Sequence, residues 1–209
     1  MLHKSTIAII SLTAAFTVQG AIDLTPSVTE YVSLGIKYRQ LIFQDDKRRI
    51  EYELPTGWSF DGGSNQLHLK PQGKSFAEAV VTTALLDKPQ TLDDNTVKLL
   101  GPQVIASLPG GSQFAKVEEE IANPVLLDAN GSFEVTVSYQ SMGEKFFRSA
   151  LFVNLRDTQL VFRLTSRRDD FQALHREFKV SIFSWHWIGP DPGQLDLAKA
   201  VAPASASTQ

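Results

Sequence analysis

Between Val125 and Ser166 the chain reads as strand-like runs separated by very short turns: DANGS, FEVTVSYQ, SMGEK, FFRSALFVNL, RDT and QLVFRLTS in succession. Connections this short can join only antiparallel neighbours, because a parallel crossover needs about a dozen residues or more. This stretch therefore commits the chain to an antiparallel meander. Within it, Asn130-Gly131 is the dipeptide best suited to the left-handed dihedrals of a two-residue hairpin, so the first turn is expected to pivot there.

Upstream, YRQLIFQ and RRIEYELP flank the charged Asp45-Asp46-Lys47 and predict an N-terminal hairpin from Tyr38 to Leu54. Pro55-Thr56-Gly57-Trp58 then interrupts strand character. Short strands follow at Gln66–Pro71 and Ala77–Leu86, the second apolar on both faces as in a sheet covered on both sides. Val97, Leu100, Val104 and Leu108 recur at helical spacing after Asp93 and Asp94, which favour a helix N-terminus. Gly101-Pro102 is expected to kink or split that helix. A strand is predicted from Gln113 to about Ala122. The last helix starts at Asp169 or Asp170, and Phe171, Leu174, Phe178, Ile182 and Trp185 form its single apolar stripe. His186 and Trp187 fall off that stripe, at the helix end before Gly189-Pro190. Antiparallel strands with two amphipathic helices predict an α/β/α sandwich, α+β in class, on a mainly antiparallel sheet.

The opening residues MLHKSTIAIISLTAAFTVQGAID place Lys4 before an apolar run from Ile7 to Phe16, with Val18 and Gly20 suited to signal peptidase. Residues 1–20 are read as a signal peptide cleaved before Ala21. The run is shorter than the roughly 20 residues that span a bilayer, so no transmembrane segment is expected after cleavage. The absence of cysteine excludes disulfides, thiolate catalysis, cysteine zinc sites and a lipidated cysteine. The expected product is a periplasmic or secreted monomer, one domain over residues 21–188 with an N-terminal hairpin extension. Residues 189–209, rich in Pro, Ala and Ser, are expected to form a disordered tail. A formal net charge of −3 leaves no broad basic footprint, so nucleic acid is not expected as a partner.

Two segments, IEYELPTGWSF (Ile50 to Phe60) and FQALHREFKVSIFSW (Phe171 to Trp185), resemble the PsbP/Mog1-type fold family, including its small exported bacterial members. The resemblance covers about Ile50 to Trp187. It implies a scaffold used chiefly for binding, as in photosystem subunits and a small-GTPase-binding protein. Neither segment is a catalytic motif, and the hairpin before Ile50 lies outside the pattern.

No G-x-S-x-G elbow, H-E-x-x-H, Walker A or G-x-G-x-x-G sequence is present, so no catalytic residue and no cofactor is assigned. His175 and His186 would lie roughly 16 Å apart on a continuous helix and could not share a metal ion. His186 could join His68 or a carboxylate in a loose metal site. Glu118 and Glu120 would share one face of their strand and could hold a hard cation, although a solvated edge strand explains them as well. Trp187 either covers the rim of the core or belongs to a partner surface. A two-residue loop at Asp157-Thr158 would set Arg148 opposite Arg167, an unfavourable pairing unless something neutralises it. Arg148, Arg163, Arg167 and Arg168 are thus candidates for docking an anion or an acidic partner, local pairing with Asp169 or Asp170 being the alternative. These features read as an exported, non-enzymatic binding or assembly protein with a protein partner in the cell envelope. A metal-binding module, or a hydrolase with a dispersed site, is the alternative.

Overall fold

The computed structural model describes residues 22–45 and 48–189; the expected signal peptide and tail lie outside them, apart from Gly189. Eleven strands and two helices follow in the order β1 (Asp23–Ser33), β2 (Ile36–Asp45), β3 (Arg48–Glu53), β4 (Trp58–Gly63), β5 (Gln66–Pro71), β6 (Glu78–Leu85), α1 (Asp94–Ala106), β7 (Gln113–Ala122), β8 (Ser132–Ser141), β9 (Glu144–Asn154), β10 (Thr158–Arg167), α2 (Arg168–Ile182) and β11 (His186–Ile188). They form a seven-stranded sheet in the order β4-β5-β6-β10-β9-β8-β7 and a four-stranded sheet in the order β1-β2-β3-β11. Every strand pairing in both sheets is antiparallel.

The chain passes from the small sheet to the large one at Pro55–Trp58. Gly57 adopts a φ of +77°, and the Trp58 amide donates to the Pro55 carbonyl at 3.1 Å, closing the turn. From β6, in the middle of the large sheet, α1 carries the chain to the far edge. The meander β7-β8-β9-β10 then returns strand by strand until β10 closes on β6. Asp93 starts α1 as predicted, its carboxylate accepting from the amides of Asn95 and Thr96. Pro102 lies inside α1, yet the helix runs unbroken through it.

Alternation along the central strands splits burial between the two faces. Leu100 and Val104 of α1 pack on Phe133, Val135, Val137, Ala150 and Phe152. Leu174, Phe178 and Ile182 of α2 pack on the opposite face with Leu151, Leu160, Phe162 and Leu164. The helices therefore cover both faces. The second face is shared, because Leu41, Phe43, Ile50 and Tyr52 of the small sheet join the same core. The N-terminal hairpin is thus part of the core and no mere spacer.

Two expectations need correction. The tight turn before β8 is centred on Asp128 and Ala129, both with positive φ, and not on Asn130-Gly131. Asn130 instead braces it, its side-chain amide donating to the Leu127 and Asp128 carbonyls. Gly131 serves close approach: a Cβ there would lie 2.6 Å from Asn123 Oδ1, the atom that accepts from the Ser132 amide. Secondly, the last helix ends at Ile182, and β11 pairs with β3, Trp187 facing Ile50. Trp185 is buried as expected, but in the turn beyond the helix, against Phe43, Tyr52 and Phe162.

Phe178 is 2% exposed and stacks on Trp58 at 6.1 Å, joining α2 to the point where the chain changes sheets. Phe178→Ala is expected to cost about 3–5 kcal/mol of stability in chemical denaturation, with the midpoint shifted and the slope unchanged.

Candidate functional site

The closure of β10 on β6 sets Arg163 opposite Val80 and Thr165 opposite Glu78, while on its other side Thr165 faces Arg148. These side chains share the α1 face of the sheet. Together with the 71–77 loop and Pro109 they line a cleft of about 580 Å³, within the range of small-ligand sites. Lys70, Lys74, Arg148 and Arg163 line it against a single carboxylate, Glu78.

Arg148 is 6% exposed and forms no ion pair among the described residues, although the charge of Glu78 favours its protonated form. Its Nε donates to Thr165 Oγ1 at 2.9 Å, and its Nη1 to the carbonyl of Ser107 at 2.7 Å, at the C-cap of α1. Tyr139 is buried and lines the same cleft beside this guanidinium. Burial first, and the neighbouring charge of Arg163 second, lower the Arg148 pKa. Burial raises the Tyr139 pKa, against the opposing pull of Arg148. Arg163 itself makes no hydrogen bond or ion pair with another described residue. Lys74 is paired with Asp170 at 2.6 Å, and Glu78 turns to His68 Nδ1 at 2.7 Å.

The structure brings Arg148 and Arg163 together but separates the other two arginines from them. The two-residue turn falls between Leu155 and Thr158, one residue earlier than expected, so Arg148 faces Thr165 and Arg167 faces Phe146. Arg167 lies 3.9 Å over the Phe76 ring, whereas Arg168 is exposed at the start of α2. Neither is in contact with Asp169 or Asp170 in an ion pair.

The metal candidates are dispersed. A register shift between Val117 and Glu119 places Glu118 and Glu120 on opposite faces, contrary to the expectation from simple alternation. Glu118 accepts from Ser138 Oγ at 2.6 Å and pairs with Lys116, contacts that hold its carboxyl below the usual range. Glu120 instead sits by Gly101 of α1, where a Cβ would be 3.1 Å from its Oε1. His186 is on β11 rather than at a helix end: its Nδ1 donates to the Ser184 carbonyl, and its Nε2 lies 3.5 Å from Glu51, which also binds Arg49. His68 is in the other sheet with Glu78. Among the described residues no three His, Asp or Glu side chains converge on a common point. Trp187 covers the core rim against Trp185, and its indole nitrogen donates to Asp45 at 2.7 Å. It also borders a smaller hollow of about 440 Å³ with Arg48 and Arg156.

One buried polar cluster was not anticipated from the sequence. Glu134 on β8, 3% exposed, accepts from Ser149 Oγ at 2.6 Å and Lys179 Nζ at 2.8 Å, and from His175 Nε2. Its signal in the sequence is a lone acid in an otherwise uncharged strand, with His175 and Lys179 one helical turn apart on α2. The histidine does not stand between serine and carboxylate, as a hydrolytic triad would require. The cluster ties α2 to the sheet.

No family model matches the chain, and no curated protein matches it in sequence. Solved structures do. LpqN of Mycobacterium tuberculosis, described as involved in cell envelope biogenesis, aligns at a TM-score of 0.51 with 14% identity, over 79% of this chain and 92% of that one. The fold is of the PsbP type. Cyanobacterial PsbP (CyanoP) of Synechocystis sp. PCC 6803 aligns over 78% of this chain and 93% of its own, at 16% identity and a TM-score of 0.49. A protein of unknown function from Pseudomonas aeruginosa aligns over 79% and 98%, at 16% identity and 0.42. Identities this low speak to fold, and the cleft must be read from its own residues.

Burial tends to raise the Glu134 pKa, but the hydrogen bonds from His175, Lys179 and Ser149 and the charge of His175 outweigh it and hold the group at about 2. A carboxyl depressed on folding stabilises fully above its ordinary pKa of 4.5 and loses that contribution as pH falls toward 2. Glu134→Gln is expected to cost roughly 3 kcal/mol at neutral pH. The difference from wild type should shrink below about pH 4.5 in denaturation curves taken at successive pH values.

Proposed function

We propose that this chain is an exported, non-enzymatic binding or assembly protein, periplasmic or secreted as a monomer, that docks a protein partner in the cell envelope. The observation that carries the reading is the cleft, in which a buried arginine is fixed by neutral groups and a second arginine beside it has no hydrogen-bond or ion-pair partner among the described residues. Fixed surplus charge of this kind selects and orients an oppositely charged partner. The fold it shares with LpqN, a protein described as involved in cell envelope biogenesis, supports the envelope setting. Among the described residues no helix is long and apolar enough to cross a membrane.

Of the candidate docking residues, Arg163 is the strongest, because its charge is unspent. Trp187 has its polar group engaged by Asp45 and closes the core, and Arg167 is stacked on Phe76. Affinity capture from the native envelope compartment should therefore recover a specific partner with wild type and with Trp187→Ala, and lose it with Arg163→Gln. Identical captured sets from wild type and Arg163→Gln would overturn docking at the cleft.

A further inference from the structure

We infer that the cleft is a site for a single oxyanion, a carboxylate or phosphate group, which Arg163 meets directly while Arg148 supplies a fixed charge behind it. The inference rests on the reading of the cleft as a binding site and names the chemistry it accepts.

Arg148 is buried where the C-terminus of α1 ends, and its bond to the Ser107 carbonyl sets it against that helix end. A helix terminus supplies roughly half an elementary charge. That suffices to explain why one guanidinium is tolerated there, but not two. Arg163 adds a second on the same face, close enough to lower the Arg148 pKa. Lys70 adds a third cation to the lining, and Lys74 is spent on Asp170. Glu78 is the one carboxylate on the wall, and its Oε1 is drawn to His68. The cleft therefore keeps surplus positive charge at a place partly shielded from water, where like charges repel more strongly than at an open surface.

Geometry narrows the ligand. A guanidinium presents paired N–H donors that match the two oxygens of a carboxylate or phosphate. Arg148 cannot swing toward a ligand, because Thr165 and Ser107 hold it. Arg163 has no such ties and is free to engage. Phe76, Pro71, Val80 and Pro109 form apolar walls beside this charged floor. The fitting ligand thus carries an acidic head on a body with apolar surface, whether that body is a small molecule or an acidic terminus or side chain of the partner.

The test uses the full chain after removal of any leader, at low ionic strength, titrated separately with inorganic phosphate and with succinate. Binding is followed by thermal shift and by the NMR signal of the Arg148 Nε–H group. Saturable binding of either anion is expected, with a shift of that signal. Arg163→Gln should weaken it roughly tenfold or more, and Arg168→Gln, exposed outside the cleft, should leave it unchanged. Phosphate alone would indicate a phosphate-bearing ligand, succinate alone a carboxylate, and both a general oxyanion site; each supports the proposal. Without added anion, Arg163→Gln should melt at or above the wild-type temperature, since it removes repulsion and no contact. Failure of both anions to saturate, equal weakening by the two variants, or a lower melting temperature for anion-free Arg163→Gln would overturn it. Anion binding without a captured envelope partner would overturn only the docking reading, and capture at the cleft without anion binding would overturn only this one.

Discussion

The pairing of β10 with β6 is the constraint on which the rest of the molecule depends. It runs for eight residue pairs, from Thr158 opposite Leu85 to Thr165 opposite Glu78, and joins a meander of local hairpins to strands some eighty positions earlier in the chain. Without it the molecule would be two unconnected ribbons. With it there is one seven-stranded sheet, wide enough to bury a helix on each face. The same pairing creates the cleft, because it lays the wall formed by β5, β6 and the 71–77 loop alongside the arginines of β9 and β10. Long-range pairing of this kind carries a high entropic cost, which the apolar run Ala79-Val80-Val81, buried on both faces, helps to offset.

Two charged groups buried in the same sheet are handled in opposite ways. Glu134 faces α2 and meets two cationic side chains and a hydroxyl, so its charge is answered in full. Arg148 faces α1 and, among the described residues, is hydrogen-bonded only to neutral oxygens. A buried charge lacking one partner is ordinarily a severe liability, whereas a complete cluster costs little more than its desolvation. The first arrangement tightens a helix onto a sheet and leaves nothing over. The second leaves positive potential directed into a cavity, and the proposed binding at the cleft rests on that surplus.

Much of the fold was legible because periodicity reports burial. The alternation of β8 to β10 and the stripe Leu174, Phe178, Ile182 located the sheet, the second helix and its inward face, and the resemblance over Ile50–Phe60 and Phe171–Trp185 pointed to the PsbP-type arrangement that the structure has. What periodicity cannot report is where alternation breaks. The register shift at Glu118 turned a predicted carboxylate pair into two residues on opposite faces. The stretch His186–Ile188 is too short to show a strand period, and its pairing with β3 is decided by the small sheet, which no local signal announces. Asn130-Gly131 carried a hairpin signal, but the glycine was needed for the approach of Asn123, and the turn formed two residues earlier.

The arginine patch shows how far a one-residue shift of a turn carries along a strand. Moving the β9–β10 turn by one residue changes each cross-strand partner by two, and side chains repeat their direction every two residues. Arg148 therefore lost Arg167 as its opposite number and gained Thr165, yet every odd-numbered residue of β10 stayed on the same face as before. Arg163, four positions from the partner expected for Arg148, became its diagonal neighbour in the observed register. Arg168, by contrast, was grouped with the others only by its place in the chain, and as the first residue of α2 it lies outside the strand. The face of a strand is thus a more durable inference than its partner. A binding surface read from alternation survives small register errors within the strand and fails at its ends.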